Sequence, residues 1–452
     1  MNRSETSTLS SSQGFLHWML PLMLGLVAAT VLLSGRDLSQ MFLDLANGGG
    51  MYLHPAQAWL QRLVSLSLLL ISAERLVNHF AARKHLPAPM LAWALVTYWA
   101  ATVAAPALFG SHPKVSHEYL YALVISLAAM LSTEADRERV VASVRTALFF
   151  FMLASVLMAV VNPPLVLDLQ YRQGLLPGVP RLGGLAPHPV ALGIFAQSFL
   201  LCLWVRPFEK RWLTVFAWIL GLAVLFFAQS KTAWIAFLLC SLAMLAVRHG
   251  GNIWRRMGDP REGTFGIAIC LGFILVVATL LGLLLFSDLR EETSSFLDTA
   301  EGAQLMSMTG RDQIWAIAME EWRGSPVFGY GPTLWDDDFR ASIRMPNATS
   351  GHNQFMDTLA RSGTVGAIAL VLYALVLLVL SVRAARQTGG LSVALFIALA
   401  LRSVSEVPLV MLGYGTELFT HLLLIITLAS ANVPRLAGSP ARSRPVGFQT
   451  AS

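Results

Sequence analysis

The stretch from Gly363 to Ser381, GTVGAIALVLYALVLLVLS, decides the fold class because none of its residues is charged. A helix of about 20 apolar residues is long enough to cross the hydrocarbon core of a bilayer. Comparable apolar stretches recur along most of the 452-residue chain, in which 55% of the residues are hydrophobic. The sequence therefore predicts an all-α, polytopic integral membrane protein.

The composition excludes several classes of protein. Only 13% of the residues are charged, about half of the roughly 25% that is usual in soluble domains. Together with a mean hydropathy of +0.61, this excludes a soluble enzyme and a disordered protein. The net charge is +6, but membrane proteins acquire such a charge by keeping Lys and Arg on the cytoplasmic side. The basic balance therefore gives no reason to expect nucleic acid as a partner.

Twelve apolar stretches are candidate spans, which gives a count of about twelve transmembrane helices. They begin near Phe15, Leu63, Met90, Glu118, Val140, Pro189, Trp212, Thr232, Phe265, Gly363, Leu391 and Thr416.

The distribution of basic residues predicts the orientation. With the N-terminus inside, alternation of the spans places 19 of the 32 Lys and Arg residues on inner segments. Six of the other 13 lie in one long outer loop, which the positive-inside rule does not govern. Without that loop, 19 basic residues lie on inner segments and 7 on outer ones. We therefore expect both termini to be cytoplasmic.

This topology divides the chain unevenly. The large outer loop carries 12 of the 26 acidic residues and is far longer than a simple connection needs. The predicted parts are an inner N-terminus at 1–14, spans one to nine at 15–286 with an outer loop at about 162–188, the large outer loop at 287–361, spans ten to twelve at 362–432, and a disordered inner tail at 433–452.

One segment of the large outer loop, MTGRDQIWAIAMEEWRGSPVFGYGP from Met308 to Pro332, has helical periodicity. Thr309 is a suitable cap for a helix that starts near Gly310. The pattern predicts an amphipathic helix lying at the membrane interface. Arg311 falls in its first turn, where the helix dipole favours an anion, so the same geometry is compatible with a phosphate site.

A second segment, GHNQFMDTLARSGTVG from Gly351 to Gly366, brings chemically versatile residues to the start of the tenth span. His352 is the usual type of residue for removing a proton from a hydroxyl near neutral pH. Asn353, Asp357 and Arg361 follow at intervals that allow a shared face, and we predict that they bind substrate. The alternative is that His352 and Asn353 only cap the helix and that Asp357 and Arg361 form an exposed charge pair.

Further polar residues lie at the predicted outer ends of other spans, where charges near a membrane suggest function. Lys231 can instead snorkel from an apolar helix end, and Arg402 with Glu406 can pair along one helix. The candidates of this group are Arg172, Arg181, His188, Lys231, Arg402 and Glu406.

The acidic run Asp336-Asp337-Asp338 resembles the D-x-D of nucleotide-sugar glycosyltransferases, in which it holds a metal. Nucleotide sugars are cytoplasmic, whereas this loop is predicted to be outside. We therefore interpret the run as a solvated acidic turn, and we predict neither a metal site nor a cofactor.

Four local motifs follow one another on the predicted outer side. They are Arg181–Gly193 (RLGGLAPHPVALG), Gln229–Thr232 (QSKT), Thr309-Gly310-Arg311 with Trp315 and then Gly329-Tyr330-Gly331, and His352-Asn353 followed after nine residues by Gly363-Thr364-Val365-Gly366. Together they resemble the bacterial O-antigen ligase and O-antigen polymerase superfamily, whose pattern at the end of its large periplasmic loop is His-Asn-x9-Gly-x-x-Gly. One departure is Lys231, where many members have arginine.

The resemblance implies a reaction and a location. A glycan linked through pyrophosphate to undecaprenol is presented at the periplasmic face of the inner membrane, and an acceptor hydroxyl attacks its anomeric carbon. Undecaprenyl pyrophosphate leaves, and no metal, ATP or nucleotide sugar is needed. The acceptor is another lipid-linked repeat in a polymerase and lipid A–core in a ligase. Other polysaccharide-assembly proteins are potential partners.

The resemblance also suggests roles for the candidate residues. Arg181, Lys231 and Arg311 would stabilise the charge on the leaving pyrophosphate. His352 would act as general base on the acceptor hydroxyl or hydrogen-bond the pyrophosphate, with Asn353 and Asp357 orienting it.

Several functions remain open at this point. The Ser-Lys-Thr turn favours an exopolysaccharide or O-antigen polymerase over a ligase. A transporter or flippase of lipid-linked sugars also suits about twelve spans, although transporters tend to show internal repeats. A non-catalytic scaffold is the third class, but a scaffold has no need for Arg, Lys and His at separate outer helix ends.

Overall fold

The computed structural model describes residues 11–46, 55–171, 179–257, 311–346 and 348–431, and these residues are mostly helical. Arg172 lies outside the described residues. The helices are α1 (Ser11–Ser34), α2 (Leu38–Ala46), α3 (Pro55–Ala81), α4 (Pro89–Trp99), α5 (Ala105–Phe109), α6 (Tyr119–Ala129), α7 (Glu134–Val161), α8 (Pro163–Val166), α9 (Pro189–Val205), α10 (Arg211–Phe227), α11 (Lys231–Met257), α12 (Arg311–Gly324), α13 (Asp337–Ser342), α14 (Gln354–Ala384), α15 (Leu391–Ser405) and α16 (Leu418–Ala431).

A π-helical turn and a short pair of strands lie between these helices. A π-helical turn at Ala100–Ala104 connects α4 to α5, so the two form one continuous rod. Strands β1 (Leu167–Asp168) and β2 (Arg181–Leu182) form a two-residue antiparallel pair in the predicted outer loop at 162–188. The sequence analysis did not predict this strand pair.

Six segments of the described chain are long and apolar enough to cross a membrane, judged by length and composition. They are Phe15–Ser34, Pro55–Ala81, Pro89–Phe109, Glu134–Val161, Lys231–Gly251 and Gln354–Ala384. The helical membrane fold is thereby confirmed.

The predicted count of about twelve spans is not confirmed. Helices occupy the other predicted stretches at α6, α9, α10, α15 and α16, but each of these has only 10–17 residues. That length is shorter than a straight helix needs to span about 30 Å of hydrocarbon. The ninth predicted span, near Phe265, lies outside the described residues.

Helix α16 lies at the centre of the bundle. Every residue from Leu418 to Ser430 is buried, as expected for a helix that is apolar on all sides. Its ring residue His421 is fully buried, and Nε2 lies 2.6 Å from the hydroxyl oxygen of Tyr373 on α14. Helices α1, α6, α7, α14 and α15 pack against α16.

Helix α14 is kinked at Gly363, where φ is 65° and ψ is −166°. The kink interrupts the regular helical hydrogen bonds and frees two carbonyl groups before it and two N–H groups after it. The loop after α12 satisfies all four: Tyr330 N donates to Ala360 O (2.9 Å), Gly331 N to Arg361 O (3.0 Å), Thr364 N to Pro326 O (2.8 Å) and Val365 N to Val327 O (3.2 Å). The four hydrogen bonds at the kink thus hold the loop after α12 against α14.

Two glycines allow the backbone of the loop after α12 to lie directly against the backbone of α14. A Cβ atom on Gly363 would clash with the backbone of Val327, and one on Gly329 would lie 2.6 Å from the carbonyl oxygen of Ala360. Both glycines also have a positive φ, which side chains other than glycine rarely adopt. One glycine of each motif, Gly329 and Gly363, is therefore explained by one close backbone contact.

The predicted amphipathic helix is present as α12, and within the described residues it begins at Arg311. Its face with Ile314 and Ala318 is buried in a small second core that is separate from the main one. The other buried members of this core are Leu334, Trp335, Phe339, Ala348 and Ala360. The described part of this loop, from Arg311 onward, therefore has a packed structure of its own, attached to the first turns of α14.

Candidate functional site

The His-Asn pair lies immediately before α14. Asn353 is the N-cap: its side-chain oxygen accepts hydrogen bonds from the N–H groups of Phe355 (3.0 Å) and Met356 (3.1 Å). Its amide nitrogen donates to the carbonyl oxygen of Val404 near the end of α15, at 3.1 Å. Because His352 precedes this cap with a positive φ of 45°, its ring is turned out of the helix. The capping prediction is correct for Asn353.

His352 faces a carboxylate from another helix. Its Nδ1 lies 3.6 Å from Oε2 of Glu406, and both side chains are 28% exposed. This distance is longer than that of an ordinary hydrogen bond but within the range of an ion pair. A small rotation of the imidazole ring would shorten it. The carboxylate that faces the His352 ring is that of Glu406, whereas Asp357 accepts a hydrogen bond from the backbone of the neighbouring Gly351.

The predicted pairing of Arg402 with Glu406 along one helix is also not observed. The contact between them is a main-chain hydrogen bond from Glu406 N to Arg402 O at 2.8 Å. Within the described part of the chain, no carboxylate lies within ion-pair distance of Arg402, and its Nε is buried without a hydrogen-bond partner. Glu406 sits at the C-cap of α15, where the chain leaves the helix and turns the carboxylate towards His352.

Cations around Glu406 keep it ionised. Burial raises the pKa of this carboxyl, but the contact with His352 and the charges of His352, Arg402 and Arg311 together hold the pKa below the ordinary value. Arg311 begins α12 and makes this contribution from the outer loop. The charges of two arginines, Arg402 and Arg311, therefore act on the carboxylate of the His352–Glu406 dyad.

The low pKa of Glu406 predicts a pH-dependent contribution to stability. Because the folded pKa is lowered, the contribution is present in full above the ordinary value of 4.5 and disappears as the pH falls through the folded pKa. We expect Glu406→Gln to lower the midpoint of thermal unfolding in detergent at pH 7 but not below the folded pKa. The exposed Glu118→Gln serves as the control. A midpoint difference that is constant from pH 7 to pH 3 would contradict the charge arrangement.

Asp357 and Arg361 form a buried pair, not the exposed pair considered as an alternative. Arg361 Nε lies 3.2 Å from Asp357 Oδ2, and the two side chains are 9% and 1% exposed. Asp357 Oδ1 also accepts from Trp335 Nε1 and from Gly351 N, each at 2.9 Å. Arg361 Nη1 donates to the carbonyl oxygens of Pro332 and Leu334.

The Asp357–Arg361 pair therefore binds the loop that holds Pro332 and Leu334, and both residues also line a small cavity. A buried pair with satisfied hydrogen bonds holds its surroundings in one arrangement. We therefore assign both residues a positioning role, and their contact with substrate stays a prediction.

Arg181 reaches the turn between α10 and α11. Its Nε donates to the carbonyl oxygen of Ala228 at 3.0 Å, and its guanidinium lies 4.7 Å from the ring centroid of Tyr171. Burial lowers the pKa of Arg181 from its high ordinary value. The turn also contains Gln229, which has a positive φ of 47° and donates to Val179 O at 3.0 Å. Two of the four motifs, RLGG and QSKT, are thus in direct contact.

Lys231 is the first residue of α11 and is exposed. Within the described residues its ammonium group has no hydrogen bond or ion pair. Its position at a helix N-terminus adds a mobile positive charge to a region that already favours anions.

His188 is the N-cap of α9, and its Nδ1 accepts from Val190 N at 3.1 Å. The ring is solvent-exposed, yet enough protein surrounds it that burial lowers its pKa. The charges of Arg181, Arg36 and His352 act in the same direction, and that of Glu406 opposes them. His188 thus lies within electrostatic reach of both Arg181 and the His352–Glu406 dyad.

Arg36 is a residue that the sequence analysis missed. Its guanidinium donates to four carbonyl oxygens, those of Leu165, Gly184, Ala186 and Pro187, at 2.7–3.2 Å. These bonds hold the segment between Arg181 and His188 against α8. The arginine follows α1 in an otherwise ordinary turn, and no signal in the sequence links it to residues about 150 positions away.

The acidic run is part of a helix start. Asp336 caps α13 by accepting from Phe339 N at 2.9 Å, and Asp337 pairs with Arg340. Across the described residues, no group of three or more His, Cys, Asp or Glu side chains is arranged to hold a metal ion.

The helix ends and loops therefore bring most of the candidates to one end of the bundle. Residues 215–371, about a third of the chain, match the family model described as O-antigen ligase. This match confirms the resemblance to the O-antigen ligase and polymerase superfamily. The matched segment contains Lys231, Arg311 and His352, whereas Arg181 and Glu406 lie outside it. No curated protein matches the chain.

The candidate spans indicate a multi-pass membrane protein, and its residues 215–371 are similar to the O-antigen ligase family, whose enzymes take a lipid-linked glycan as substrate.

Proposed function

We propose that this protein is a metal-independent glycosyltransferase that acts on undecaprenyl-pyrophosphate-linked glycans at the periplasmic face of the bacterial inner membrane. The observation that carries the proposal is the approach of His352 to Glu406, together with the charges of Arg311 and Arg402 that act on that carboxylate. This combination suits a reaction that removes a proton from a hydroxyl and releases a pyrophosphate.

The dyad supplies the base. With Nδ1 of His352 turned towards Glu406, Nε2 is the atom that would take the proton from the acceptor hydroxyl. The acceptor oxygen then forms a bond to the anomeric carbon as the bond from that carbon to the pyrophosphate oxygen breaks. The carboxylate of Glu406 stabilises the imidazolium that forms, so no charge is left uncompensated.

The cations supply stabilisation of the leaving group. Negative charge grows on the pyrophosphate as the bond breaks, and positive groups in a poorly solvated site bind that charge more tightly in the transition state than in the ground state. Arg311, Arg181 and Lys231 are our candidates for this role. Arginine can hold two phosphate oxygens at once, whereas lysine acts as a point charge. The pyrophosphate bond already activates the sugar, so we expect transfer to require no metal.

Between the two related reactions, we favour polymerisation of repeat units in exopolysaccharide or O-antigen synthesis because of the Ser-Lys-Thr turn. Ligation to lipid A–core is the alternative, since the acceptor is chosen by the shape of the groove. A flippase of lipid-linked sugars would need no general base.

Lys231 offers a test of the point-charge role. We expect Lys231→Ala to lower transfer by about 10- to 100-fold, the range for losing a hydrogen bond to a charged group, and Lys231→Arg to retain activity. Because Lys231 is exposed, neither change should alter the unfolding temperature. Lys210→Ala, at an exposed lysine before α10, is the matched control. Equal activity of Lys231→Ala and wild type would remove this lysine from the site.

Product analysis in a deletion strain decides among the functions. Lipid-linked single repeats, free polymer and polymer on lipopolysaccharide would be separated after complementation. Loss of all polymer with retained single repeats supports a polymerase. Polymer that stays on undecaprenyl pyrophosphate and is missing from lipid A–core supports a ligase. Single repeats that never reach the outer face would overturn the proposal in favour of a flippase.

A further inference from the structure

A pair of stacked aromatic rings lies on the outer side, away from the dyad. The rings of His112 and Tyr330 are nearly parallel, with an interplanar angle of 16° and centroids 4.0 Å apart. His112 is exposed and Tyr330 is half-buried, packing edge-on against Phe339 of the outer-loop core. One face of the imidazole ring is covered by Tyr330, and its other face is open.

The backbone holds these rings rigidly. Ser111 N donates to Gly329 O at 3.1 Å, and His112 N donates to Tyr330 O at 2.7 Å. A Cβ atom on Gly331 would lie 2.5 Å from the carbonyl oxygen of His112, so the two segments are as close as glycine allows. The stacked pair is therefore preorganised, and a ligand that binds there need not order it.

The charges of two carboxylates act on the rings. Burial raises the pKa of Glu321, and the charge of His112 opposes this effect. Burial also raises the pKa of Tyr330, and the charges of Glu321 and Asp336 raise it further. Within the described residues no Lys or Arg forms an ion pair with Glu321. An open aromatic face beside carboxylates is suited to a neutral ligand with apolar C–H faces and many hydroxyl donors.

This surface is connected to the candidate active site by one helix. Tyr330 is hydrogen-bonded to Ala360, which lies six residues beyond Gln354 at the start of α14 and hence about 9 Å along the helix. His352 lies just before that start. The stacked rings and His352 are therefore both attached to the first part of α14.

We propose that His112, Tyr330 and Glu321 form a carbohydrate-binding subsite for the glycan part of the substrate. Sugar rings would stack on the open face of His112 while their hydroxyl groups donate to Glu321. The subsite rests on the proposed function for the identity of its ligand, but its binding can be measured without turnover.

The test uses the purified full-length protein carrying His352→Ala, so that no product forms. Two probes are titrated by microscale thermophoresis: a soluble oligosaccharide of repeat units released from the polysaccharide of the same strain, and the undecaprenyl-pyrophosphate-linked repeat. The variants are His112→Ala, His112→Tyr and Glu321→Gln. His117→Ala, on the same exposed loop, and Asp338→Asn, an exposed carboxylate, are the matched controls.

We expect His112→Ala and Glu321→Gln to weaken binding about threefold to tenfold, while His112→Tyr and both controls retain it. Weaker binding of the soluble oligosaccharide would assign the subsite to the acceptor glycan. Weaker binding of the lipid-linked repeat alone would assign it to the donor glycan. Unchanged affinity of His112→Ala for both probes would overturn the proposal. Equal loss in His112→Ala and His112→Tyr would also overturn it, because stacking would not be the cause. A failure of the proposed transfer reaction would show only in turnover and would leave these affinities intact.

Discussion

Replacing His352 by alanine is expected to lower glycosyl transfer by on the order of 10²- to 10⁴-fold, which is the usual contribution of a general base. The loss should appear in the chemical step, because the acceptor hydroxyl would then have to lose its proton to water. Transfer would be measured as release of undecaprenyl pyrophosphate by protein purified in detergent and compared at equal protein concentration.

The structure indicates that this variant will fold. Apart from the 3.6 Å approach to Glu406, the imidazole ring has no polar partner in the described part of the chain, and its Nδ1 is a buried atom without a hydrogen bond. Glu406→Gln keeps the shape of the side chain but removes its charge. We therefore expect a smaller loss of transfer activity than in His352→Ala. His117→Ala controls for removal of an imidazole ring. Wild-type activity of His352→Ala would remove this histidine from the mechanism.

Replacing Gly363 by alanine is expected to destabilise the protein by about 3 kcal/mol or more, because strain and a backbone clash are combined. The positive φ is unfavourable for any side chain, and the added Cβ would run into the backbone of Val327. The loop that holds Tyr330 and Gly331 would then detach from α14.

The measurement is the midpoint of thermal unfolding together with protease cleavage in the loop at 326–331. Gly324→Ala is a matched control, since a Cβ atom there has nothing within 4 Å. We expect Gly324→Ala to unfold like the wild type and Gly363→Ala to be cleaved rapidly at low temperature. Equal stability of the two variants would mean that the crossing at Gly363 contributes little to the fold.

Much of the fold follows from local properties of the sequence. Long apolar runs predict helices because an unsatisfied backbone is costly in lipid, and the caps at Asn353 and Thr133 follow from side chains that bond to nearby N–H groups. The buried face of α12 follows from the spacing of Ile314 and Ala318.

The arrangement of the site depends on contacts that periodicity does not encode. Glu406 and His352 are distant in the chain, and their approach depends on how α15 packs beside α14. Sequence spacing instead suggested Asp357, which is close in the chain but turns into the interior to meet Arg361. The contacts of Arg36 with the segment before His188 are equally non-local. Gly329 and Gly363 can be recognised in the sequence as parts of motifs. The close backbone contact that requires them cannot be read from the sequence.

The most direct test of the account is transfer by the purified protein in lipid vesicles that contain only the lipid-linked repeat, with EDTA present. The account predicts new glycosidic bonds between repeats or, when lipid A–core is added, onto that acceptor, with one undecaprenyl pyrophosphate released per bond. We also expect His352→Ala to lower the rate of formation of both products by on the order of 10²- to 10⁴-fold. Movement of the lipid-linked sugar across the bilayer without any new glycosidic bond would contradict it.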